Sequence, residues 1–130
     1  MRNSNELEMR RYLERRGRTR LQVLDSLLTV NKHDYIPVRG LERLYLKKFN
    51  QKLEQWYVWI LHRDGIVEFK NVKLEDWKMS GKTTPYRVPI IKSPKSQEYH
   101  SDDIRIVPSK YDLIKSFSEF IRTRIAEKKR

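Results

Sequence analysis

The chain has 130 residues, which allows one domain with a modest core and an appended helix at either end, but not two cores. Lys and Arg number 29 against 17 Asp and Glu, so the net charge is +12 and the surface field favours a polyanionic partner. The absence of cysteine excludes disulfides, thiolate nucleophiles, iron–sulfur clusters and Cys-ligated zinc, while 38% hydrophobic residues spread along the chain exclude wholesale disorder.

No stretch approaches the roughly 18 apolar residues of a membrane span. The first twenty residues are punctuated by Arg2, Arg10, Arg11, Arg15, Arg16, Arg18 and Arg20 and lack the apolar run of a secretion signal. A cytoplasmic, non-secreted protein is therefore expected. Abundant Lys, Arg, Glu, Ile and Tyr lean toward a thermophilic source.

Asn5, with Glu8 three residues on, predicts a capped helix through Arg16 that Gly17 closes. Leu7, Tyr12 and Leu13 make a thin apolar stripe, and Arg10, Arg11, Arg15 and Arg16 cover much of the rest. Two readings stand: a solvated helix packed on the domain, and a basic arm along a phosphate backbone. Thr19 can cap the next helix, in which Leu21, Leu24, Leu27 and Leu28 recur at helical spacing and form a core face. Asn31 to Pro37 reads as a loop, with Tyr35, Ile36 and Val38 in a short extended segment.

A helix from about Arg39 to Lys48 places Leu41, Leu44 and Tyr45 on one face. A further helix, Asn50 to His62, has a wide apolar face of Leu53, Trp56, Tyr57, Ile60 and Leu61, with Asn50 as its N-cap. One unbroken helix from Leu41 to Arg63 is compatible with the lack of internal Pro or Gly, but a break at Phe49-Asn50 is preferred. The Asp64-Gly65 turn starts a strand from Ile66 to Leu74. The polar loop Lys78 to Pro85 separates it from a second strand, Tyr86 to Ile91, so that strand, basic tip and strand form a wing.

Ser93 to Asp103 reads as an exposed connector and Ile104 to Val107 as a short strand. Pro108-Ser109 and Asp112 open a C-terminal helix whose stripe is Leu113, Phe117, Phe120, Ile121 and Ile125. That stripe either packs on the domain or forms a homodimer interface. The expected organisation is a basic arm over residues 1–18, a main domain over 19–92, a connector over 93–108 and an amphipathic helix over 109–130.

Enzymatic chemistry finds little support. Glu68-Phe69-Lys70 has the acid and ammonium of a metal-dependent nuclease strand, but its nearest upstream carboxylate is Asp64 on the same turn. Asp25 or Asp34 could substitute only through a tertiary contact. His33, His62 and His100 are scattered and form no ligand doublet, Asp102-Asp103 is a lone acidic pair, and the four glycines make no phosphate loop. No enzyme, metal, cofactor or small-molecule ligand is expected.

The order helix, helix, helix, Gly-initiated strand, basic loop, strand resembles the winged-helix superfamily, over about residues 20–91. The segment Leu53-Glu54-Gln55-Trp56-Tyr57-Val58-Trp59-Ile60-Leu61-His62-Arg63-Asp64-Gly65-Ile66-Val67 resembles that family's recognition helix running into its first wing strand. The resemblance implies an α+β winged helix-turn-helix with additional N-terminal and C-terminal helices. It implies double-stranded DNA as partner, with Gln51, Lys52, Gln55 and Trp59 turned toward the major groove. Lys47, Lys48 and Arg63 would clamp phosphates, and Lys78, Lys82 and Arg87 would reach an adjacent groove from the wing.

The expected function is that of a transcription regulator of archaeal or archaeal-virus type. Its alternatives are a coat or ribosome-associated nucleoprotein without sequence preference, and a mobile-element-encoded inhibitor that binds protein.

Overall fold

The computed structural model describes residues 4–72 and 101–127. Within them the chain is α+β, with six helices and a small antiparallel sheet. In chain order these are α1 (Ser4–Glu14), α2 (Arg18–Leu27), β1 (Ile36–Pro37), α3 (Val38–Phe49), α4 (Gln55–Arg63), β2 (Val67–Phe69), β3 (Asp103–Ile106), α5 (Pro108–Ser116) and α6 (Ser118–Ala126). Among the described residues no helix is long and apolar enough to cross a membrane.

The Leu-rich second helix is the centre of the molecule. Every residue from Leu21 to Leu27 is buried, so α2 is covered on all sides, by α3, α4 and α6. Its polar residues are satisfied internally: Tyr45 Oη donates to Gln22 Oε1 at 2.7 Å, and Ser26 Oγ donates to the Gln22 carbonyl. The Tyr111 hydroxyl shares its proton between the Leu28 and Val30 carbonyls just past the helix end. One continuous core runs from Met9 and Leu13 of α1 to Ile114 of α5 and Ile121 of α6, each fully buried leucine or isoleucine contributing about 2 kcal/mol of apolar burial.

The helix starts differ from the capping expectation. Asn5 lies inside α1, α1 ends at Glu14, and extended Gly17 precedes α2 instead of closing α1. Thr19 falls within α2. The break at Phe49-Asn50 exists, but Asn50 closes α3 in the left-handed region (φ 54°, ψ 38°), its N–H donating to the Leu46 carbonyl at 2.8 Å. Asn tolerates that conformation better than most residues, so it serves as a stop and not as an N-cap. Residues 51–54 form a linker anchored by buried Leu53, and the helix that follows is shorter than expected. Leu44 is 36% exposed, outside the face that Val38, Leu41 and Tyr45 bury.

A Schellman motif ends α4. The Gly65 N–H donates to the His62 carbonyl and the Ile66 N–H to the Leu61 carbonyl, both at 3.0 Å, with Gly65 at φ 75°. Buried Leu61 and Ile66 supply its apolar contact and turn the chain into β2.

The sheet order is β1-β3-β2, all antiparallel. The register Val67↔Ile106, Glu68↔Arg105 and Phe69↔Ile104 puts the four apolar residues on the buried face. Among the described residues β2 pairs with 103–106, close to the short strand expected over Ile104 to Val107; the second wing strand expected over Tyr86 to Ile91 lies outside the described residues. Of the strand expected from Ile66 to Leu74, the described part is Val67–Phe69. Lys70 N–H still bonds the Asp103 carbonyl, but the next two N–H groups, of Asn71 and Val72, go to the Asp102 carboxylate instead of the ladder, and residues 73 and 74 lie outside the described residues.

The C-terminal helix is two helices. At Phe117 (φ −99°, ψ 16°) the chain makes a tight turn, Phe117 N–H bonding the Ile114 carbonyl, while Ser116 Oγ competes for the Leu113 carbonyl at 2.6 Å.

Candidate nucleic-acid interface

The outer face of α3 and the linker after it form the clearest basic surface. Val38, Leu41 and Tyr45 turn inward, so at about 100° per residue Arg39, Arg43 and Lys47 share the opposite face. All three are exposed, as are Gln51 and Lys52 in the linker. Arg39, Arg43 and Lys52 line one shallow groove with Glu42, Leu46 and Leu53. Arg39 and Arg43 were not singled out from the sequence, although their four-residue spacing to Lys47 on one helix was a readable signal.

The helix expected to read bases offers less. Val58, Trp59, Ile60, Leu61 and His62 are all buried, which covers every side of the middle of α4. Trp59, expected to face outward, is 2% exposed and lies against Phe69. Only the ends of α4 reach the surface. Gln55 is its first residue and half-buried, and Trp56 donates from Nε1 to Glu54 at 2.9 Å while its ring stacks on Tyr57.

Several expected phosphate ligands are instead committed to carboxylates. Lys48 Nζ stands 2.7 Å from Asp25 Oδ2, and Arg122 approaches the same buried carboxylate at 3.8 Å. Arg16 turns inward over the Tyr12 ring and meets Asp64 at 3.4 Å, as does Arg63 from the next position. Tyr12 Oη donates to Asp64 Oδ2 at 2.7 Å, and its phenol is pushed well above the ordinary range, by burial first and by Asp64 second. On α1, Arg10 pairs with Glu14 at 3.7 Å, whereas Arg11 and Arg15 are exposed and have no partner among the described residues. With Met9 and Leu13 buried, α1 is a helix packed on the domain.

The expected dimer stripe faces the chain's own core. Ile121 is fully buried, and Leu113, Phe117, Phe120 and Ile125 are half-buried against the same core. Lys78, Lys82 and Arg87 lie outside the described residues. Glu68, half of the nuclease-like pair, is held by Arg105 Nε at 2.8 Å and faces Tyr35 Oη at 3.4 Å. Among the described residues no group of three or more His, Asp or Glu could hold a metal ion.

Asp102 ties the end of the β2 segment to the start of β3. Its carboxylate accepts from the backbone N–H groups of Asn71, Val72 and Asp103 and from the Asn71 side-chain amide, at 2.8–2.9 Å. Burial opposes its charge, but these four donors outweigh burial and hold the carboxyl below its ordinary 3.8. A depressed folded value means that the stabilisation is complete above the ordinary value and is lost as pH falls through the depressed one. Asp102→Ala should therefore cost roughly 3 kcal/mol at pH 7, with the gap from wild type closing below about pH 4. Chemical denaturation at both pH values checks this, and an equal gap at both would contradict the charge as its cause.

Comparison with family models, with curated proteins and with solved structures finds no match to this chain.

Proposed function

We propose that the chain is a winged-helix protein that binds double-stranded DNA and acts as a small regulator. The observation that carries this is the corner between α3 and α4, where exposed Lys47, Gln51 and Lys52 precede Gln55 at the start of α4. In helix-turn-helix proteins the N-terminal residues of the second helix meet base edges while the first helix crosses the backbone. Burial of the middle of α4 is compatible with that geometry, because only its first turn needs to enter the groove. Gln can bond adenine bidentately and Lys can bond guanine. The α+β architecture, with a strand started at Gly65 and paired antiparallel to a later strand, supports the same reading.

A second reading, sequence-independent binding as in a coat or ribosome-associated protein, is favoured by the buried run from Val58 to His62, which removes most of α4 from base readout.

A gel-shift series against random duplex, a selected duplex, single-stranded DNA and RNA separates the two. Under the regulator reading, Gln51→Ala with Gln55→Ala lowers discrimination between selected and random duplex by about 1–3 kcal/mol per lost base contact, with little effect on random duplex. Equal affinity of the wild type for every nucleic acid supports the sequence-independent reading. No affinity for any of them ends both.

A further inference from the structure

We infer that α3, rather than α4, is the helix laid along the nucleic acid, and that Arg39, Arg43 and Lys47 form a track for consecutive phosphates of a phosphodiester backbone. This rests on the nucleic-acid reading above and deepens it by moving the principal docking helix.

The first support is geometric. Residues four apart on a helix are separated by about 6 Å along its axis and by a rotation of only about 40°, so the three cations form a gently slanted row. A nucleic-acid strand carries its charge as a similarly regular series, one per roughly 3.4 Å of duplex axis for each strand. Lys52 extends the row from the linker, and three of these four cations share a groove in which Glu42 is the only carboxylate among the described residues.

The second support is the division of labour among the cations. Arg16, Lys48, Arg63, Arg105 and Arg122 are each drawn to a carboxylate of the fold. Arg39, Arg43, Lys47 and Lys52 have no ion pair or hydrogen bond among the described residues. Their desolvation on docking therefore breaks no ion pair or hydrogen bond among the described residues. Arg suits this role because its planar donor fork matches phosphate oxygens.

The third support is what α4 lacks. With Val58 to His62 inside the core, a groove contact deeper than its first turn would require expelling Trp59 and Leu61 from the interior. The exposed length of α3 needs no such rearrangement.

The test uses the full chain with Arg39→Gln, Arg43→Gln and Lys47→Gln combined, since Gln preserves helix propensity at exposed sites. Duplex affinity is measured as a function of salt for the wild type, this variant and the Gln51→Ala, Gln55→Ala double variant, with circular dichroism and melting to verify folding. Loss of three phosphate contacts should flatten the log–log salt slope by roughly 2–3 and weaken binding about 10²-fold near 0.1 M salt. The double variant should keep the wild-type slope. A triple variant that melts like wild type and retains its slope and affinity overturns the α3 track while leaving the nucleic-acid reading intact. A wild type with no affinity for duplex, single strand or RNA at about 50 mM salt overturns both. Should the triple variant melt early, Arg43→Gln alone is used, and a slope within error of wild type again overturns the assignment.

Discussion

Raising salt from about 50 to 200 mM should weaken binding of this chain to duplex DNA by roughly 10³-fold. The expectation comes from sorting its cations by what they touch, not from counting them. Of the exposed cations that have no ion pair or side-chain hydrogen bond among the described residues, six lie on α1, on α3 or in the linker after α3, namely Arg11, Arg15, Arg39, Arg43, Lys47 and Lys52, and each can release one counterion on docking. Six such contacts give a slope near −5, and a fourfold change in salt then spans about three decades. The formal +12 would suggest a steeper dependence, but cations already held by Asp25, Asp64 or Glu68 have a local counter-charge. Filter binding or anisotropy across the salt range reads the slope directly. Affinity that is flat over this range would exclude phosphate contacts as the source of binding.

Replacing Ile121 by Ala should destabilise the folded chain by about 3 kcal/mol without changing its oligomeric state. Ile121 is fully buried where α6 packs along α2, the helix that is itself covered on every side. Truncation there loses the transfer free energy of the side chain and leaves a cavity, because α6 is held against α2 and α5. For a domain of this size the melting temperature should fall by roughly 10 °C. Sedimentation of both proteins, run beside the thermal melts, supplies the control. An unchanged melt combined with dissociation of a dimer would show that this stripe serves a second copy and not the chain's own core.

The elements were largely legible because they are local. Leucines at helical spacing from Leu21 to Leu28 identified the central helix, and Asp64-Gly65 identified a turn whose left-handed Gly the helix end requires. Asn50 shows where local reading runs short. The same residue type both caps helix starts and tolerates the left-handed conformation of helix ends, so its role depended on what followed. The strands that begin after Gly65 and near Ile104 were legible one by one, but not that they pair with each other. Pairing β2 with residues 103–106 closes a separation that no local pattern encodes, and the choice is made by four apolar residues meeting on one buried face.

Composition alone established a basic, cysteine-free chain, because charge is a sum over residues that needs no neighbours, and the spacing of apolar residues along the chain added the helices and strands. Which cations remain available to a partner was decided only in three dimensions. Arg15 and Arg16 are adjacent and chemically identical, yet one is exposed and the other lies over Tyr12 against Asp64, forty-eight residues away. Lys47 and Lys48 divide in the same way, one outward and one onto buried Asp25. On a helix, neighbours in sequence point about 100° apart, so packing assigns one to the fold and leaves the next to solvent.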